Sequence, residues 1–191
     1  MGRVEIAEDL AGRMLIAMPG MGDLRFQRSV ILICAHSPEG AMGLIVNKPA
    51  AEMSFAGLLE QLGIGSTDRG RDIRVRFGGP VERGRGFVLH SDDWSGDETA
   101  MDVPGNLRLT ATLDILRALA GGEGPAQALL ALGYSGWGPG QLEDEILRND
   151  WLICDAGAEI LFSDMDSAKW AGALRRIGVD PVTLSGAAGR A

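Results

Sequence analysis

The stretch from Met18 to Pro49, MPGMGDLRFQRSVILICAHSPEGAMGLIVNKP, constrains the fold more than any other part of the chain. Ser29 to Ala35 is apolar on both faces, with Val30, Leu32 and Cys34 on one side and Ile31 and Ile33 on the other. A strand that reads this way is covered on both faces. His36-Ser37-Pro38-Glu39-Gly40 has turn chemistry, and Met42 to Asn47 returns as a partner strand, so the segment predicts a β-hairpin deep in a sheet. Glycine, at 28 of 191 residues, is twice its ~7% share. That abundance implies many tight turns and close backbone approaches and argues against a simple helical bundle.

The remaining elements follow from periodicity. Arg13 to Met18 reads as a strand stopped by Pro19 and Gly20, and Ser54 as the N-cap of a helix carrying Leu58, Leu59 and Leu62 to Gly63. Ile73 to Phe77 and Gly86 to Ser91 predict strands on either side of Gly78-Gly79-Pro80 and an arginine-rich loop; Asp97 to Val103 and Leu107 to Thr110 predict shorter ones. Thr112 opens a helix with Leu113, Leu116 and Ala120 inward, Ala126 to Leu132 predicts a second helix ended by Gly133, and Gln141 to Asn149 a third. Trp151 to Asp155 reads as a late strand, and Asp166 as the cap of a last helix with Trp170, Leu174 and Ile177 on one stripe. Strands outnumber helices without regular alternation, which gives an α+β class with a mixed, curved sheet. The length fits one domain, 1–191, with 1–11 and 185–191 expected to be flexible ends.

Charge and cysteine usage narrow the function classes. A net charge of −8 opposes direct binding to nucleic acid, whose affinity rests on Lys and Arg releasing counterions. Arg74 and Arg76 fall on one face of their strand and, with Asp68 and Asp72 interleaved nearby, read as a solvated face. The longest apolar run, Val30 to Ala35, is far below the ~20 residues of a membrane helix. With two cysteines and no secretory segment ahead of the first strand, the expectation is a cytoplasmic protein with reduced thiols.

No complete catalytic constellation emerges. Gly133-Tyr134-Ser135-Gly136-Trp137 misses the nucleophile elbow because Trp137 stands where glycine is required. There is no P-loop or dinucleotide fingerprint and no zinc-type ligand spacing, so no cofactor and no metal is expected. Cys34 and His36, two residues apart, share a face if the strand persists, and an imidazolium there would activate the thiol. His90 reads as a polar strand boundary, and Cys154 as core packing. Gly20-Met21-Gly22-Asp23 and Gly78-Gly79-Pro80-Val81 each follow a strand and suggest the walls of a shared groove.

Six blocks, MLIAMPGMGDLRFQRSVILIC, EGAMGLIVNKP, FGGPV, RGFVLH, ALGYSGWGPGQLEDEILRNDWL and LSGAAGRA, in that order, resemble the YqgE/AlgH family of bacterial proteins over roughly residues 12 to 191. The resemblance implies a bifurcated, mixed β-sheet curled into a pseudo-barrel with peripheral helices. It also implies an uncharacterised molecular activity under the label of transcriptional regulator. Where the family reads Cys-Glu-His-Asn this chain has Cys34-Ala35-His36-Ser37, without the glutamate that would orient His36. Its tail has Arg190 where a histidine is usual, and Ser135 is often alanine in relatives. The leading expectation is therefore a non-enzymatic regulator that acts through a protein partner or small-molecule ligand rather than on DNA. Its candidate groove residues are Arg28 as an anion contact, Asn47 as a hydrogen-bonding group, and Gly78 and Gly79 as backbone walls. The alternative is a thiol-based redox sensor or enzyme centred on Cys34 and His36.

Overall fold

The hairpin forms, with a tighter turn than read: His36, Ser37 and Gly40, assigned to the turn, lie in its strands, and the return strand ends at Ile45 rather than Asn47. In a computed structural model, which describes residues 9–187, β2 (Val30–Ser37) pairs antiparallel with β3 (Gly40–Ile45), with Leu32 opposite Leu44. β1 (Arg13–Ala17) lies on the far side of β2, and β9 (Trp151–Asp155) pairs with β1. A second wing holds β5 (Val81–Ser91), β6 (Met101–Val103) and β7 (Leu107–Thr110), joined to the first by the ten-residue β8 (Ala128–Trp137). The order across the sheet is β6-β7-β5-β8-β3-β2-β1-β9, with the short β4 (Val75–Phe77) pairing parallel to β8 off that path. The sheet is thus mixed, as anticipated, and curls into a half-barrel.

The sheet divides at β8. Ser135, Gly136 and Trp137 pair with β3, whereas Leu130, Ala131 and Leu132 on the same strand pair with β4. β4 in turn takes over as neighbour to the chain leaving β3: the N–H of Phe77 donates to the Lys48 carbonyl at 2.8 Å, and the N–H of Ala50 to the Val75 carbonyl at 2.9 Å. β4 is therefore a wedge between two strands that touch at one end only. Gly78 sits at the point of separation, its N–H donating to the Leu132 carbonyl and its own carbonyl accepting from the Ile45 N–H and the Ser135 hydroxyl. A Cβ on Gly78 would lie 2.3 Å from the Gly133 carbonyl oxygen, and one on Gly79 (φ +154°) 2.1 Å from the Tyr134 carbonyl carbon. Only glycine allows the backbones to meet that closely.

Alternation along the strands sorts the apolar residues into one inner and two outer clusters. The inner cluster collects Met14, Ile16, Val30, Leu32, Leu44, Phe87, Leu89, Leu129 and their neighbours from both wings. α4 (Ala158–Leu161) and α5 (Asp166–Arg176) join it through Leu161, Trp170, Ala173 and Leu174. α1 (Phe55–Gln61) and α2 (Leu113–Ala120) cover the outer face of one wing, and α3 (Gln141–Leu147) that of the other. α6 (Pro181–Ala187) follows α5. α1 starts where expected, with the Ser54 hydroxyl accepting from the Gly57 N–H at 3.0 Å.

Several expectations are corrected. Of Ala126 to Leu132, read as a helix, Ala128 to Leu132 are the first half of β8, because an apolar run of Ala and Leu suits either state by pattern and pairing with β5 and β4 on its two edges decides for strand. The arginine-rich loop before Gly86 belongs to β5, which starts at Val81 and has a register shift between Val81 and Gly86. Asp166 is the first residue of α5 rather than its cap, which is Met165, and Ile177 lies just past the helix end. Leu113, expected inward, is 40% exposed. Of the ends expected to be flexible, 1–8 and 188–191 lie outside the described residues, whereas Leu10 is 1% exposed and packs in the outer cluster beneath α3.

The wedge generates a prediction. Gly79→Ala should lower unfolding free energy by more than about 3 kcal/mol, since both the φ and the contact with β8 must be relieved. Gly84→Ala, at a position whose Cβ would meet nothing within 4 Å, should stay within about 0.5 kcal/mol. Urea denaturation of the two variants measures the difference.

Candidate functional site

The candidate groove residues separate into two places. Arg28 and Asn47 line one cavity of about 650 Å³ together with Lys48, Asp166, Trp170 and Arg175. Gly78 and Gly79 are buried at the division of the sheet and are absent from that lining. The cavity lies between the turn that leads into β2, the chain leaving β3, and one face of α5. Asp166, Ser167, Trp170, Ala171 and Arg175 follow the spacing of a single helical stripe.

Asn47 builds this wall rather than lining it with a free amide. Its Oδ1 accepts from the Val30 N–H at 2.9 Å and its Nδ2 donates to the Arg28 carbonyl at 2.8 Å. One side chain thereby satisfies two backbone groups of the turn into β2 and holds Arg28 in a left-handed conformation, φ 55°. Such a φ is uncommon for a bulky residue and is maintained only by its surroundings. The guanidinium of Arg28 then rests over the Trp170 ring, 5.1 Å from its centroid. Trp170 is itself fixed by its indole N–H, which donates to the Ala17 carbonyl at 2.9 Å.

Below this face is a buried ionic cluster. Arg76, read as part of a solvated face, is 2% exposed and places Nε 3.0 Å from Asp166 Oδ1. Lys169 Nζ lies 3.2 Å from the same oxygen and donates to the carbonyls of Val46 at 2.8 Å and Leu161 at 3.0 Å. Burial, aided by the positive charge of Arg76, pushes the Lys169 amine down to about 8. Arg74 Nη1 stands 3.5 Å from Asp166 Oδ2 and donates to the Asp164 carbonyl. The cluster ties the β4 wedge and the end of β3 to the first turns of α5. Charges this deeply buried are retained only when they are paired and hydrogen-bonded.

The structure does not bring Cys34 and His36 together. The β2–β3 register shifts between Ile33 and Ala35, so Cys34 is an extra residue and the alternation that would place both on one face is broken. Cys34 joins the inner cluster, its Sγ–H donating to the Leu32 carbonyl. His36 lies opposite Ala41, which packs on the outer cluster, and its Nε2 is 2.5 Å from Glu143 Oε1 on α3. Its Nδ1 accepts from the Leu10 N–H at 3.0 Å, which assigns the ring proton to Nε2. The carboxylate missing beside Cys34 in sequence is thus supplied to His36 from more than a hundred residues away. Burial pushes the Cys34 thiol up to about 12 and the Cys154 thiol to about 11.

One further residue differs from its reading. His90 is fully buried, with Nε2 2.8 Å from the Thr110 hydroxyl oxygen and Nδ1 2.7 Å from the Ser91 carbonyl, and burial lowers its pKa. Ser135 is buried and its hydroxyl is committed to Gly78. Sequence reasoning missed Lys48, Asp166 and Arg175 as cavity residues. The Trp170 stripe was visible, but the residues flanking it gain their meaning only from what β3 and the turn before β2 place opposite.

Comparison with known proteins places this architecture. A family model described as AlgH-like matches residues 14–182. A UPF0301 protein of Cereibacter sphaeroides is 63% identical over 183 residues, which span 96% of this chain and 100% of that protein. A UPF0301 protein of Paracoccus denitrificans is 55% identical over 187 residues, 97% of this chain and 98% of its own. The solution structure of the AlgH protein from Pseudomonas aeruginosa matches with a TM-score of 0.78 at 38% identity over 100% of both chains. Protein DIP2367 from Corynebacterium diphtheriae, at 23% identity and a TM-score of 0.70 over 97% of this chain and 93% of its own, shares the fold.

Two predictions follow from the geometry. Asn47→Ala leaves the buried Val30 N–H without an acceptor and should cost about 1–3 kcal/mol in urea unfolding, with Asn47→Asp, which keeps the acceptor, costing less. For Cys34 the folded thiol lies near 12 against an ordinary 9.0. Its contribution to stability is present below the ordinary value and is lost as pH rises from there through the folded one. Iodoacetamide at about pH 8 should therefore leave Cys34 unmodified in the folded protein and label it in urea.

Proposed function

We propose that this chain, which belongs to the AlgH-like family, is a regulatory protein that acts by binding a small ligand in the cavity beside α5, and that its effect on transcription is exerted through the ligand-bound state rather than by contact with DNA. One observation carries this reading: Arg28, Lys48 and Arg175 line a single cavity over Trp170, and no carboxylate among the described residues pairs with any of them. Cationic side chains without a carboxylate partner, set in a concavity with an aromatic floor, are the ordinary makings of a ligand site. The net charge of −8 supports the absence of direct DNA contact. The burial of Cys34 and its separation from His36 favour this reading over thiol chemistry.

A gel-shift titration should give no retardation of duplex DNA at about 50 mM salt, and an affinity that collapses toward 200 mM would instead indicate a phosphate-binding face and overturn the reading. A thermal-shift screen of charged and neutral metabolites should find a stabilising compound. Ligand at about 100 times its dissociation constant adds roughly 2.7 kcal/mol, which raises the midpoint of a domain this size by about 5–10 °C. The shift should disappear in Arg28→Ala; a screen that finds no stabilising compound, or a shift of equal size in that variant, counts against the cavity.

A further inference from the structure

The cations of the α5 cavity are spread along its length. Ser167 and Arg175 lie at opposite ends of the helical stripe in the lining, about 12 Å apart along the axis at 1.5 Å per residue. Arg28 rests over Trp170, between those ends. Lys48 is anchored on the side of the first turn, where its carbonyl accepts from the Phe77 N–H, next to the Arg76 that pairs with Asp166. Three segments of the chain thus each bring one cation to a cavity of about 650 Å³, a size that suits an organic metabolite better than a lone carboxylate or phosphate ion.

Nothing within the described residues neutralises these charges. Lys48 and Arg175 have no hydrogen-bond or ion-pair partner there, and Arg28 has only its contact with the Trp170 ring. That contact leaves the N–H donors of the guanidinium for an oxyanion, which arginine binds through paired hydrogen bonds. The left-handed backbone of Arg28, held by Asn47, fixes the side chain at the cavity in advance of any ligand. Asp166, the one carboxylate in the lining, is 4% exposed and engaged by Arg76 and Lys169, and Asp180, beside Pro181 of the lining, accepts from the Val182 N–H. Burial lowers the pKa of Lys48, as for an ammonium partly withdrawn from water without a counter-charge. The wall is therefore locally cationic in a chain of net charge −8.

We propose that the cavity is the site of a small organic polyanion, a molecule that carries two or more carboxylate or phosphate groups. One group lies against Arg28 over Trp170, and the others reach Lys48 and Arg175 to either side. The inference rests on the ligand-binding reading above and gives its site a chemical class.

Isothermal titration of the full chain at low salt tests it, with tricarballylate and 2,3-bisphosphoglycerate as probes bearing several anionic groups and acetate and inorganic phosphate as controls bearing one. At least one of the two probes should bind about tenfold or more tightly than either control, and the Lys48→Gln/Arg175→Gln double variant should weaken it by about tenfold or more. Binding of tricarballylate alone assigns carboxylates to the site, and of bisphosphoglycerate alone assigns phosphates. Arg83→Gln/Arg85→Gln, which removes two exposed arginines of β5 outside the lining, should leave the affinity unchanged. Both side chains of the first double variant lack partners among the described residues, so it should keep its thermal midpoint, which separates lost binding from lost folding. Equal affinity for probes and controls, the same loss in both double variants, or no binding of either probe overturns the inference. If the thermal-shift screen instead yields a neutral compound whose effect requires Arg28, the ligand-binding function stands and the polyanion assignment falls.

Discussion

The division of the sheet at β8 is the constraint on which the rest of the molecule depends. A ten-residue strand holds two neighbours on one edge only in succession, and β8 does so by pairing Leu130 to Leu132 with β4 and Ser135 to Trp137 with β3. Because the backbones at Gly78, Gly79 and Gly133 approach within distances that no Cβ survives, the separation occurs over a few residues rather than through gradual twisting. Both wings then turn one face toward a common interior. The same division directs the chain beyond Ile45 away from β8 and strings it between β2 and β4, with the Val46 N–H on the Val30 carbonyl and the Lys48 carbonyl on Phe77.

That path gives α5 its seat. Lys169 reaches the Val46 carbonyl, Trp170 the Ala17 carbonyl and Asp166 the guanidinium of Arg76, so one helix face is fixed to β1, to the end of β3 and to the wedge. The arrangement is polar where a tighter apolar packing would serve stability as well or better. Polar anchors on one side of α5 leave its neighbouring face, from Ser167 to Arg175, as the wall of an open cavity instead of a packed surface. The left-handed Arg28, held by Asn47, completes the opposite wall. Structure and cavity therefore share parts: Asp166 and Trp170, which help to lock the helix, also line the cavity.

Legibility in the sequence followed the physics of each element. β2 and β3 were readable because apolar residues on both faces admit few alternatives, and the split of Val30, Leu32 and Cys34 from Ile31 and Ile33 reappears as the inner and outer clusters. β8 was misread at its start since Ala and Leu favour helix locally and only the two flanking strands outweigh that preference. A solvated Arg76 was a fair reading of an alternating strand, but its face meets α5, ninety residues later in the chain. Arg28 and Asn47 were identified for one groove, yet nothing local shows that Asn47 spends both polar ends on backbone, and the glycines placed beside them serve the division of the sheet.

By itself the sequence determined the buried hairpin, the α+β class, the helix starts set by local capping such as Ser54, and an acidic balance adverse to DNA. Those are properties of neighbouring residues and of totals, and need no partner distant in the chain. Tertiary structure alone decided that a one-residue bulge separates Cys34 from His36 and that Glu143 meets His36. It alone gathered Arg28, Lys48 and Arg175, none of which has a carboxylate partner among the described residues, into one lining with Trp170. The reason is physical: burial and charge pairing depend on which surfaces a curled sheet brings face to face, and that is settled only when β4 wedges β3 from β8.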